Sequence, residues 1–191
     1  MEELNEDKVL EVRMYCFVPY NISGRQMGIQ SLHAALRYAR AFSADDPDVW
    51  DFVDNHETVI VLDGGTTNSD RDFDGIAAGT LNQIADQILE ADIPFSYFIE
   101  PDLNNALSAV CFLASEQVFN FKDYPDFIDY LADRRTTENG VEIPQFKIEC
   151  ELKGFMAVKE EYPDAYKEWV RFMGGVKNVF LREITKGKKK A

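Results

Sequence analysis

Val9-Leu10-Glu11-Val12-Arg13-Met14-Tyr15-Cys16-Phe17-Val18-Pro19-Tyr20-Asn21-Ile22-Ser23-Gly24-Arg25-Gln26 contains the junction that decides the fold class. Residues 9–20 are mostly apolar, the composition of a largely buried strand, and Pro19 closes it. Ser23 followed three residues later by Gln26 is a capping box, in which each side chain satisfies a backbone N–H at a helix start. A buried strand handing over to a capped helix is the opening unit of an α/β domain. The helix is expected to run to about Phe42, with Ile29, Leu32, Leu36 and Ala39 at helical spacing as its core stripe.

The pattern continues downstream. Residues 43–56 are acidic and polar, with Trp50 and Phe52 as anchors. Thr58-Val59-Ile60-Val61-Leu62 reads as a strand of the fully buried kind, ending in Asp63-Gly64-Gly65 and a polar loop to Asp74. A helix follows at about 76–91 with Ile76, Leu81, Ile84 and Ile88 mostly on one side, and Pro94 stops it. Phe95–Ile99 is a third strand, Glu100–Asn105 a polar turn and Ala109–Ala114 a fourth strand. The order β-α-β-α-β-β predicts a small mixed four-stranded sheet flanked by helices, with parallel crossovers and one final antiparallel pair.

Beyond Val118, Tyr124–Arg135 is expected to be helical and Gly140–Leu152 an extended hairpin arm or edge strand. Pro163–Ile184 carries Tyr166, Trp169, Phe172 and Met173 at helical spacing, interrupted by Gly174-Gly175. The predicted organisation is an α/β domain over 8–118 and a mostly helical C-terminal extension, 119–191, packed on it. Its basic tail, 186–191, is expected to fray. The aromatic stripe at 166–173 docks on the core domain or on a second subunit of a homodimer.

In 191 residues, 46% hydrophobic and 13% aromatic content suits a packed globule rather than disorder. No apolar stretch exceeds strand length, so no membrane span or membrane partner is expected. The acidic N-terminus, Met1–Asp7, has no apolar signal core, which points to a cytoplasmic location. Cys16, Cys111 and Cys150 are too few and scattered for a zinc site, and an odd number argues against a disulfide framework. Cys16 and Cys111 each lie in an apolar run and read as buried thiols, in a reducing compartment. Residues 1–118 hold 6 Lys and Arg against 21 Asp and Glu, a net of −15, whereas 119–191 hold 14 against 13. Such a body repels phosphates, so bulk nucleic-acid binding is expected to be weak or absent.

Gly24-Arg25-Gln26-Met27-Gly28-Ile29-Gln30-Ser31-Leu32-His33-Ala34-Ala35, lying between a first strand and a long helix, resembles the peptidyl-tRNA hydrolase 2 pattern. In that family a basic turn leads into a helix bearing Gln, two residues, then His-Ala, and Gln30 and His33-Ala34 occupy those places. The Phe98–Leu113 region is similar to the family's acidic loop and last strand, with Glu100 or Asp102 in the acid's place. The resemblance covers roughly residues 10–118. It implies a hydrolase of an ester or related acyl bond, peptidyl-tRNA-like or small. His33 would be the base, with Glu100 or Asp102 as its partner. Arg25, Gln30 and Asn104 would position substrate, with Gln26, Arg37 and Asn105 completing the binding set.

The family's catalytic lysine falls where this chain has Gln26, and its Gly, Arg and Thr after the acid are replaced by Pro101-Asp102-Leu103-Asn104-Asn105. These departures and the acidic body favour an alternative, a non-catalytic binding protein on the same scaffold. Its surface would engage a basic protein partner, or its cleft a small ligand. A phage-type viral accessory protein is a third possibility.

Independently of the resemblance, Gln26, Gln30, His33 and Arg37 are spaced 4, 3 and 4 and stack on one helical face. That face either lines a cleft, where His33 could take a proton from an attacking water, or is simply solvated. The side chains of Glu100–Asn105 either shape their turn or hold a hydrogen-bonded ligand. Asp70–Gly75 has the opening spacing of a calcium loop, but Leu81 stands where the closing glutamate is required. Asp63-Gly64-Gly65 could admit a ligand backbone, yet it lacks the dinucleotide and Walker patterns. His56 is expected to be exposed. No metal or cofactor is expected.

Overall fold

The computed structural model describes residues 10–44, 46–68, 78–139 and 143–191. The chain divides into two compact units: residues 1–116 together with 181–191, and residues 117–180.

The first unit is a mixed four-stranded sheet with helices on both faces. Its strands are β1 (Val12–Pro19), β2 (Val59–Gly65), β3 (Ser96–Glu100) and β4 (Ala106–Ser115), in the order β2-β1-β4-β3. β1 pairs parallel with β2, while β4 lies antiparallel between β1 and β3. The last strand is therefore central and makes two antiparallel ladders rather than the one expected. β2 is an edge and not a fully buried strand, and Val59 is 45% exposed. Lys190 bridges Leu62 along that edge, and Lys189 O accepts from Asp63 N at 3.0 Å, so the basic tail is paired and not frayed.

α1 (Gly24–Phe42) begins with the expected box: Ser23 Oγ accepts from Gln26 N and Gln26 Oε1 accepts from Ser23 N. Its buried face is Gln30, Ser31, Ala34 and Tyr38. The aliphatic stripe is a correction, because Ile29, Leu32 and Leu36 point outward. Small residues at 31 and 34 let the helix approach the sheet, where Ser96 Oγ donates to Ala34 O at 2.6 Å. Val12, Met14, Cys16 and Val18 of β1 join Ala34 and Tyr38 in that core, together with Val49 from α2 (Pro47–Asp51) and Phe52. Trp50 is 55% exposed and is no anchor; its indole donates to Ser43 O at 2.8 Å.

Across the sheet, Phe112 stacks on Tyr15 and packs at a tilt against Phe17, and α3 (Thr80–Glu90) buries Leu81, Ile84 and Ile88. Gly64 is required by this packing. A Cβ there would stand 2.8 Å from Leu81 Cδ1 and 3.1 Å from Val18 O. Gly64 thus permits the close approach of α3. Ile76 and the acidic loop Asp70–Gly75 lie outside the described residues.

Cys16 and Cys111 face each other directly across the β1–β4 ladder and are joined as a disulfide, correcting the expectation of buried thiols; Cys150 is buried and outside the disulfide. Two cysteines directly opposite in an antiparallel pair sit close enough to bond whatever the total count. His56 is half-buried, with Nε2 3.1 Å from Asp51 Oδ2.

The second unit is helical. It contains α5 (Phe127–Asn139), α6 (Ile143–Lys153), α7 (Phe155–Glu161) and α8 (Pro163–Phe172), preceded by α4 (Glu116–Phe119), which begins in the first unit. α9 (Val176–Thr185) begins here and ends in the first unit. Of the stretch Gly140–Leu152, expected as an extended arm, residues 140–142 lie outside the described residues and the rest is helical, in α6. Gln145 Nε2 bonds Glu149 Oε1 one turn on, and Lys147 pairs with Asp129 of α5. Trp169 is 2% exposed amid Phe127 and Tyr166, and its indole donates to Pro125 O at 3.0 Å. Among the described residues no helix is long and apolar enough to cross a membrane.

Candidate functional site

The site grows from a register change in the β3–β4 ladder. Phe98 opposes Ala109, but the next residue, Ile99, opposes Leu107. Ser108 is therefore the extra residue of a β-bulge, a device that re-aims a side chain. Its buried hydroxyl lies 2.9 Å from Gln30 Oε1 and 3.0 Å from Phe98 O. Gln30, 4% exposed, turns its other end to Glu100, donating from Nε2 to Oε2 at 2.7 Å. A buried amide with donor and acceptor both engaged is costly to disturb and holds α1 against the β3–β4 turn.

One turn along α1, His33 is exposed and stacks on Phe98, with centroids 4.5 Å apart and planes 17° apart. Arg37 reaches the same ring, its Cζ 4.6 Å from the centroid, and donates from Nη1 to Tyr97 O at 3.1 Å. No hydrogen bond holds the imidazole among the described residues, so its nitrogens are open to a ligand. Phe98 thus contacts both an imidazole and a guanidinium of α1, while Glu100, two residues on in β3, and Gln30, one turn back in α1, belong to the bonded Gln30–Glu100–Ser108 set.

The other expected site residues are dispersed. Gln26 is occupied by the helix cap, and Arg25 is exposed in the first turn. Glu100 Oε1 accepts from Asp102 N at 3.3 Å, which caps the short turn Pro101–Leu103. Asp102 and Asn104 line a cleft of about 320 Å³ with Asn21 and Thr67, and His33 is not part of it. Asn104 and Asn105 both adopt left-handed backbone, at φ 57° and 56°, conformations that asparagine tolerates better than most residues. Asn105 lines a further cleft of about 280 Å³ with Asn82, Asp86, Tyr97 and Leu107.

Phe98 and Ser108 were missed as site residues. Ser108 carries a usable signal: it is the one hydroxyl within Ala106–Ala114, and a buried hydroxyl needs a partner. Phe98 carries none, because an aromatic in a strand reads as packing. Among the described residues no group of three or more His, Cys, Asp or Glu is placed to hold a metal ion. No family model matches the chain, and no curated protein matches it in a sequence comparison.

Proposed function

We propose that this chain is a divergent peptidyl-tRNA hydrolase 2-like protein that hydrolyses an ester or related acyl bond beside His33. The observation that carries this is the Gln30–Glu100 hydrogen bond, 2.7 Å long and spanning 70 residues of sequence. It joins the helix motif to the acidic turn, the two segments on which the resemblance rests. In the reaction, His33 takes a proton from water while the water oxygen bonds to the acyl carbon. The carbon–oxygen bond to the alcohol then breaks, and the proton on His33 passes to the leaving oxygen. Arg37 supplies positive charge for the oxyanion in between. Glu100 enters through Gln30, as a positioning residue.

A second reading, non-catalytic binding of a small polar ligand, is favoured by the separate cleft at Asp102, Asn104, Asn21 and Thr67. The test is release of the acyl amino acid from an N-acetyl-aminoacyl-tRNA and from a small N-acyl amino acid ester. The hydrolase reading expects turnover, faster on the small ester, because the −15 charge of residues 1–118 repels tRNA phosphates. No release from either substrate favours the binding reading.

A further inference from the structure

α1 turns its aliphatic residues away from its own core. Ile29, Leu32 and Leu36 are 44%, 58% and 61% exposed, and their spacing of three and four residues puts them on one face. Contiguous exposed aliphatics of this kind mark a surface that another molecule covers. The charges on the same helix narrow down that molecule. α1 holds three arginines, Arg25, Arg37 and Arg40, and no Asp or Glu, within a segment of net −15. Arg25 lies four residues before Ile29 and Arg40 four after Leu36, so they extend the apolar face at either end. Neither pairs with a carboxylate among the described residues.

We propose that this face docks an amphipathic helical segment of another protein, whose apolar side is flanked at both ends by Asp or Glu. Arg25 and Arg40 stand about 22 Å apart along the helix axis, which matches a segment of roughly four turns. A second copy of this chain is a poor occupant. Antiparallel pairing of two α1 faces sets Arg25 of one copy beside Arg40 of the other, and it brings two acidic bodies together. An anionic bilayer extends past the two arginines and meets the acidic body, whereas a helical segment sets its acidic ends at the arginines. The docking face does not depend on the catalytic reading, because its apolar residues take no part in that site.

The experiment titrates the full chain against two fluorescein-labelled helical peptides of about 18 residues. Both carry one leucine face; one has glutamates at its ends and the other lysines. Fluorescence anisotropy should show the glutamate peptide binding roughly tenfold tighter or better, with the gap narrowing as salt rises. The L32S/L36S variant should lose roughly tenfold in affinity or more, and Arg40→Glu should shift the preference towards the lysine peptide. Arg40→Glu changes one exposed residue, so it keeps the test intact if the double variant folds poorly. Equal affinity for the two peptides, or no binding of either, overturns the proposal. So does sedimentation with phosphatidylserine vesicles, or a self-association that L32S/L36S abolishes; these would assign the face to a membrane or to a second copy.

Discussion

His33 and Phe98 lie ring on ring, 4.5 Å between centroids and 17° between planes, so a strand residue sets the orientation of the helix's titratable side chain. The face of an aromatic ring shields protons above it. The His33 ring-proton resonances should therefore lie upfield of those of a free histidine, and Phe98→Leu should return them. Unshifted resonances in the parent protein would show that the stack does not form in solution.

Ser108→Ala should destabilise the first unit by about 1–3 kcal/mol, because it leaves the buried Gln30 Oε1 without its donor. Denaturant titration measures this directly. A change within about 0.5 kcal/mol, the range of an ordinary surface substitution, would mean that the bulge hydroxyl holds nothing.

The strand–cap–helix junction was legible because each of its signals is local. Ser23 and Gln26 meet within one turn, and Pro19 and Pro94 act on their own neighbours. The rotation of α1 was not legible. Helical periodicity favours Ile29, Leu32 and Leu36, whereas the buried face is chosen by partners distant in sequence: Ser96 for Ala34, Ser108 and Glu100 for Gln30. Gln30 and Glu100 could each be picked out in the sequence, but their bond could not. The contribution of Ser108 depends on a bulge, and a bulge is set by ladder register rather than by residue type. The Cys16–Cys111 bond has the same origin, since it requires β4 to lie beside β1 in that register.

That disulfide can be counted. Of the 3 cysteines, Cys150 is outside the disulfide, so the chain denatured without reductant should expose one titratable thiol, and the reduced chain three. Three thiols before reduction would leave Cys16 and Cys111 as the buried thiols their apolar runs suggest.

Alkaline pH should destabilise the first unit through Tyr38. Burial, and then the charge of Asp46, push its phenol far above the ordinary value of 10.0. Below pH 10 it is protonated whether folded or unfolded and contributes no pH dependence. Above that, the unfolded chain releases the proton and the folded chain does not, so stability falls by about 1.4 kcal/mol per pH unit. Burial raises Tyr15 in the same direction. Tyr38→Phe should remove one share of the slope between about pH 10 and 12. An unchanged slope would show that Tyr38 ionises as freely in the fold as outside it.

The most direct test of the catalytic account is kcat/KM for a small N-acyl amino acid ester, compared between the parent protein and His33→Ala. His33 is exposed and, among the described residues, makes a ring stack on Phe98 and no hydrogen bond, so the variant should keep its melting temperature. Its rate should fall roughly 10²–10⁴-fold, the loss typical of a removed general base. A folded His33→Ala variant that hydrolyses the ester at the parent rate would contradict the catalytic account.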